Sequence, residues 1–531
     1  MRRNQAPEGG RLNRHTDTVK TSRILLRPWW ILLLVSSLLP AQQSPDRPKP
    51  AQANTADVLE APTFKTRTDL VLVPVVVRDH KGNHIPGLTL DAFHLEENGK
   101  DQTISLFEEI HAATNAPPPA PILDRGYSNL PFDNASELRL TIIVLDLLNT
   151  TPLQRTDGKD QLIKFLSKGL VQNQPVSLLC LTNHDLQLVH PFTTDTSSLI
   201  QVLKKLPLGP PKVMPRRDAA EKTLKQLTEI AQGYIGIPGR KTMIFAAGDI
   251  PEPMLDRAVY PTDLVTAQAF QETFKTLVDA NISVYPFELM AWASDPTLRS
   301  HKEYSDDQSL REFADATGGN RCIESNDLMK CFAEAVEDSR SYYMLGFSVR
   351  PDDRKPGWRN LKVNVSAEHT NVRARNGFYY GNPASPGPQS AHDAEINALA
   401  SPLPYSAVPM YVRVLPPAAV STAPSMVGQK IAVEFLVTIP LTSIKLDSSS
   451  ATPLDLEIGA IALTSDPREV ADFLHPVHGN PNPELLQKFS REGIKLREKL
   501  DLLPGTYDIR FMVHDNNTNQ IGTVVLPLDV K

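Results

Sequence analysis

Residues 140–150 read LTIIVLDLLNT, and this stretch decides the fold. A short, unbroken apolar run that stops at an acid, Asp146, is the pattern of a strand covered on both faces, whereas a strand with one wet face alternates apolar and polar residues. Such strands belong to parallel sheets flanked by helices, and the neighbouring sequence supplies the helices. Residues 159–171 place Leu162, Ile163, Leu166 and Leu170 on one helical face. Further along, strands expected at 176–181, 186–192, 242–247 and 282–287 alternate with helices at 219–232, 264–280 and 326–340, with a short helix before Thr317-Gly318-Gly319 and a short strand at 321–323. This alternation predicts an α/β domain over residues 138–341, a doubly wound and mostly parallel sheet with helices on both faces.

On either side the texture changes. The chain has 531 residues, enough for two to four domains, with 46 prolines and only 26 glycines. Residues 64–112 and 342–380 read as two parts of one β module, because neither has strands enough to bury a face alone. Residues 42–63, 113–137 and 381–404 are rich in Pro, Ala, Ser or Gln without a period and are expected to be linkers. Residues 405–531 form a second β-rich unit, expected as an immunoglobulin-like sandwich interrupted by one helix over 483–500.

The first 28 residues carry seven basic and two acidic side chains and precede an uncharged apolar run at 29–39. Eleven apolar residues are too few to span a bilayer, so residues 1–41 read as an export signal cleaved near Ala41. An uncleaved anchor is the alternative, since the basic region is long and Leu39 is bulky for a cleavage site. The chain is expected in the periplasm or outside the cell, with no integral span once the leader is removed. A net charge of −6 and the lack of a basic stripe argue against nucleic acid. Three cysteines exclude a disulfide framework. Cys180 sits in an apolar strand, while Cys322 and Cys331 would in an oxidising compartment be either bridged or two buried thiols.

Signatures of the common hydrolases, phosphate loops and zinc enzymes are absent. Gly233, Gly236 and Gly239 lie after a helix and before a strand, the reverse of the order that aims helix N–H groups at a phosphate. The carboxyl ends of the strands carry more. Asp146 leaves an apolar run, where an unpartnered carboxylate is costly, and Asn149, Thr150, Asp218 and Asp249 fall on the same edge. Two readings stay open there: capping and loop hydrogen bonds, or a hard divalent cation held by Asp146, Thr150 and Asp249.

Six segments carry a family resemblance: LVLVPVVVRDHKGNHIPGLTLDAFHLEENGKDQTISLFEE, LTIIVLDLLNT, IPGRKTMIFAAGD, LVDANISVYPFEL, FADATGGN and SYYMLGFSVRP. In this order, over residues 64–380, they resemble the von Willebrand factor A-related family found in acidobacteria. The resemblance implies an A-type fold and a metal-ion-dependent adhesion site of the pattern D-x-S-x-S, with a Thr and an Asp from later loops. Asp146 matches its first ligand and Thr150 its second hydroxyl. Leu148 stands where the first Ser would be, Asp249 falls one residue late, and the later Thr has no counterpart. The implied site is therefore degenerate, with no required cofactor and at most weak Mg²⁺ or Mn²⁺ binding. The expectation is an exported, non-enzymatic binding or adhesion protein whose A-type face, including Asn149 and Asp218, meets a protein or surface glycan. An inert A-type face on an envelope scaffold is the alternative. A hydrolase, with His184 or His190 as base, is the third.

Overall fold

Side chains along residues 140–146 are shared between two cores: Leu140, Ile142 and Val144 enter one, Ile143 and Leu145 the other, all fully buried. The computed structural model around this strand describes residues 70–111, 126–131, 139–168, 174–209, 214–248, 264–289, 308–321, 328–349, 355–381, 388–416, 430–464 and 469–531. They fall in one compact unit, residues 67–531. The expected leader and the 42–63 tether lie outside the described residues, as do Asp249 and Cys322.

Along the chain the first strands are β1 (Leu70–Arg78), β2 (Phe93–Glu97), β3 (Lys100–Asp101), β4 (Ile104–His111) and β5 (Tyr127–Ser128). The α/β segment follows as β6 (Thr141–Asp146), α1 (Pro152–Ser167), β7 (Val176–Leu181), β8 (Gln187–Thr193), α2 (Thr196–Lys205), α3 (Arg216–Tyr234), β9 (Lys241–Ala247), α4 (Leu264–Asp279), β10 (Ile282–Glu288), α5 (Gln308–Thr317) and α6 (Leu328–Arg340). Its sheet runs β10-β9-β6-β7-β8, parallel throughout except for the antiparallel edge strand β8. Leucines and phenylalanines of α3, α4 and α5 cover one face, and those of α1, α2 and α6 the other. The chain order reverses at β6, with β7 on one side and β9 on the other, so the topological switch point lies at the carboxyl ends of β6 and β9.

Past α6 come β11 (Ser341–Ser348), β12 (Gly357–Val365), β13 (Asn371–Ala374) and β14 (Gly377–Tyr380). They interleave with the first strands in two sheets, β13-β1-β11-β4 and β14-β12-β2-β3. Val73, Val75, Val77, Phe93, Tyr343, Leu345 and Phe347 fill the space between the two sheets. The α/β segment is thus an insertion within one sandwich.

The rest comprises α7 (Pro388–Ala400), β15 (Tyr411–Val414), β16 (Ile431–Ile439), β17 (Leu454–Leu463), β18 (Glu469–Gly479), α8 (Pro483–Glu492), β19 (Ile494–Leu502), β20 (Gly505–Asp515) and β21 (Gln520–Val530). Two four-stranded sheets, β19-β16-β15-β5 and β18-β17-β20-β21, enclose a core around Phe435, Ile458 and Phe511. Within the second unit the first, second and fifth strands share one sheet and the other four share the second, a connectivity of the immunoglobulin-like kind.

Several expected bounds differ: α1 begins at Pro152 rather than at residue 159, and α2 (Thr196–Lys205) was not expected. The 381–404 linker contains α7, whose alanines, read as linker composition, are the strongest helix formers. The 113–137 linker contributes β5, held at the sheet edge because the buried Asn129 amide donates to Tyr405 O (2.7 Å) and Val408 O (2.8 Å) and accepts from Met410 N (3.0 Å). The helix expected over 483–500 ends at Glu492. Gly493 turns the chain at φ 74°, and Ile494, Leu496, Leu500 and Leu502 then follow a period of two as β19. Among the described residues no helix is long and apolar enough to cross a membrane.

Candidate functional site

The switch-point edge is built by the loop between β6 and α1. Thr151 caps α1: its hydroxyl accepts from Gln154 N while the Gln154 side chain accepts from Thr151 N, and Pro152 occupies the first turn. This fixes residues 147–150 as a tight crossing between strand and helix. Asp146, fully buried, is satisfied from within it. Its Oδ1 accepts from Leu148 N (2.7 Å) and Asn149 N (3.1 Å), and its Oδ2 accepts from Asn149 Nδ2 (2.8 Å). Burial raises the Asp146 pKa, and these hydrogen bonds together with the charge of Arg155 oppose that rise.

The Thr150 hydroxyl donates to the Asp146 carbonyl (2.5 Å) and accepts from Arg155 Nε (3.2 Å). Arg155 is itself 3% exposed and donates to the carbonyls of Leu147, Leu208 and Gly209. Asn149 Nδ2 also reaches Thr223 Oγ1 (2.8 Å), which ties the loop to α3. On the β9 side Gly248 closes the crevice, since a Cβ there would stand 2.1 Å from the Asn149 carbonyl oxygen.

These residues do not fit a divalent cation. Asp146 is committed to three donors, the Thr150 oxygen is turned to a guanidinium, and the Leu148 side chain carries no oxygen. A fixed positive charge stands beside the hydroxyl that a cation would need. Asp249, the third expected ligand, lies outside the described residues. Asp218 is exposed in the first turn of α3, on the same helix as Thr223 but outside the Asp146 network. Arg155 and Thr223 were not picked out from sequence. The available signal was the place of Arg155 at the head of the stripe Gly158, Leu162, Phe165 and Leu166, all buried on α1.

The other sequence candidates lie elsewhere. His190 on β8 has Nε2 3.2 Å from Ser198 Oγ and Nδ1 2.7 Å from the Pro191 carbonyl, so a hydroxyl and a backbone carbonyl, and among the described residues no carboxylate, orient the ring. His184 lies in the turn between β7 and β8. Cys180 is a free, buried thiol whose pKa burial pushes up to about 12, which leaves it inert. Cys331 is disulfide-bonded, and its expected partner Cys322 lies outside the described residues. Gly236 has a packing role: a Cβ there would stand 1.6 Å from the Ser406 carbonyl oxygen, and Gly236 N donates to Ser406 Oγ.

No family model and no curated protein matches the chain. Among solved structures it is similar to an aerotolerance-related membrane protein from Bacteroides fragilis NCTC 9343, at 14% identity over 38% of this chain and 98% of that one, with a TM-score of 0.24. It is also similar to the SpRpn10 VWA domain, at 11% identity over 38% of this chain and 95% of that one, with a TM-score of 0.21.

Proposed function

We propose that this chain is an exported, non-enzymatic binding protein. Its A-type α/β domain presents the carboxyl edge of β6 and the amino end of α3 to a protein or surface-glycan ligand, and does so without a bridging divalent ion. The observation that carries this reading is the complete internal use of Asp146 and Thr150, with Arg155 standing where cation-dependent recognition would need open coordination positions. A face prefixed by hydrogen bonds has no metal-driven open state, so its binding is constitutive. Asp218, exposed in the first turn of the helix that Thr223 ties to this loop, is the acidic group offered to a ligand carrying basic or hydroxyl groups.

The test is affinity capture from envelope extracts with the full mature chain, in Mg²⁺ and in EDTA, beside Asp218→Lys. The reading expects the same partner in both buffers and its loss with Asp218→Lys. Capture that needs Mg²⁺ would restore metal-dependent adhesion. Turnover in an ester and peptide screen, abolished by Ser198→Ala, would replace binding with hydrolysis. An envelope scaffold is the second reading, favoured by the way β5 and Asn129 lock the carboxy-terminal sandwich to the chain preceding the α/β domain. Capture that survives Asp218→Lys but is lost on removal of residues 405–531 would select it.

A further inference from the structure

Helix α7 lies on the outer face of the second sandwich with little apolar surface to hold it. Ala394, Ala398 and Leu399 share a small cluster with Met512 and Ile521, and Ile396 is half exposed. Arg510 of β20 ties its carboxyl end by donating to the carbonyls of Leu399 (2.6 Å) and Ser401 (2.9 Å). The remaining hold is a cluster of titratable groups. Glu395 of α7 is 5% exposed, and its Oε1 lies 2.7 Å from Nδ1 of His514, which is 1% exposed on β20. Nε2 of the same ring meets Asn519 Oδ1 at 3.0 Å, so both ring nitrogens face acceptors and both must donate. His514 is therefore an imidazolium closed on a carboxylate. Glu457 of β17, the register partner of His514, hydrogen-bonds the Glu395 carboxyl, and two carboxyl groups bond in this way only when one keeps its proton. Burial and the Glu395 charge hold the Glu457 pKa above its ordinary 4.5, against the opposing charges of His514 and His392. Exposed His392 stands 3.6 Å from Glu395 Oε2. The other charges of the packed elements are turned elsewhere: Asp455 of β17 meets His478 of β18 (3.1 Å), Asp529 of β21 meets the Thr506 hydroxyl (2.7 Å), and Asp393, Asp472 and Asp508 are exposed.

We propose that α7 is a proton-controlled latch, closed while Glu457 is neutral and loosened when Glu457 ionises against Glu395. In the closed state one carboxylate faces one imidazolium, and the Glu457 proton fills the contact between the two acids. Once that proton leaves, two carboxylates face each other across the contact and repel. Strands β17 and β20 are fixed to each other by a ladder eight residue pairs long, so the element that yields is α7. A group whose pKa is raised in the closed state stabilises that state at low pH, and the stabilisation is lost as pH rises through the raised value. The latch therefore loosens toward alkaline pH. With α3 and α4, α7 also walls a cleft of ≈ 940 Å³, to which it contributes Ala394, Asn397 and Ala400. Its release withdraws one wall of that cleft. The proposal is independent of the ligand face at β6.

Amide hydrogen exchange of the full mature chain at pH 5.5 and pH 8, read by peptide and corrected for the intrinsic rate at each pH, tests it. Protection of residues 388–400 should fall by about tenfold between the two, the effect of one unit of pKa shift, while protection of α3 in the same molecule does not follow it. Glu457→Gln keeps a neutral donor toward Glu395 and cannot ionise, so its α7 should stay protected at both pH values. Glu395→Gln removes the charge on which the latch closes. Its α7 should exchange fast at both, and this variant decides the matter should Glu457→Gln fail to fold. Equal α7 protection at the two pH values in the wild type, an undiminished pH response in Glu457→Gln or in Glu395→Gln, or a loss of protection shared equally by α3 and α7 would overturn the proposal.

Discussion

Asp146 and Lys241 are both buried ionisable groups, but they are balanced differently. Asp146 receives three hydrogen bonds from its own loop, so its buried charge is partly compensated. Asp146→Asn keeps an oxygen for the two backbone donors but sets an amide N–H₂ against Asn149 Nδ2. The expected loss is about 1–3 kcal/mol in denaturant unfolding, with an unchanged response to Mg²⁺. Tight Mg²⁺ binding in the wild type that the substitution abolishes would contradict the geometry of Arg155. Lys241 is 1% exposed, and its ammonium donates to the carbonyls of Ile237 (2.5 Å) and Gly239 (3.0 Å). Burial lowers its pKa from 10.5 to about 7. Between those values the unfolded chain holds a proton that the folded chain has released, so stability rises with pH from about 7 toward 10.5. Thermal unfolding at pH 7 and pH 9 should show this rise in the wild type and its loss in Lys241→Met. An identical pH response in the two proteins would show that Lys241 stays charged when folded.

Elements differ in how openly the sequence announces them. The strand at 140–146 was legible because burial on both faces leaves Thr141 alone to interrupt the apolar run before Asp146, and the alternation after it followed from period, except for helix α2 (Thr196–Lys205), which was not expected. Helix α7 and strand β19 were not legible. An alanine-rich segment beside prolines reads equally as linker, and the decisive partner of α7 is distant, with Glu395 meeting His514 Nδ1 at 2.7 Å. In β19 the pairing with β16 along nine residues overrode the apparent continuation of α8. The candidate site was half legible. Asp146 and Asn149 stand out locally, whereas Arg155 acts through contacts with Leu208 and Gly209 that no spacing shows. Strand β5 is the sharpest case, since two residues of sheet are held by one side chain. Asn129→Ala would leave the Val408 carbonyl and Met410 N without their partner, while the Tyr405 carbonyl keeps its bond from Thr523 N (2.9 Å), at a cost of about 2–4 kcal/mol. Unfolding midpoints should fall accordingly, and a change within about 0.5 kcal/mol would show that β5 is not a structural clamp.

At the scale of the whole molecule, the first sandwich cannot exist without residues on both sides of the inserted α/β domain. Among β1 to β4 the described pairing is that of β2 with β3, two residue pairs long. Every other ladder is made to the second half: β1 to β11 and β13, β4 to β11, β2 to β12. The α/β sheet, by contrast, draws all five strands from residues 141–288 and covers both faces with its own helices. Folding therefore requires the chain ends of the inserted domain to be brought together, and the buried Asp338 links to Arg78 and Arg373 belong to that closure. A fragment of residues 64–112 has one short hairpin to offer and should give a collapsed amide spectrum, because an isolated two-stranded hairpin is marginal at best in water. A fragment of residues 138–341 should give a dispersed one. Adding a 342–381 peptide in trans to 64–112 should restore dispersion, since β11 and β12 supply the missing central strands of the two sheets. A dispersed spectrum from 64–112 alone would mean that the first half folds before the second is available, and that the interleaving is a docking of preformed parts.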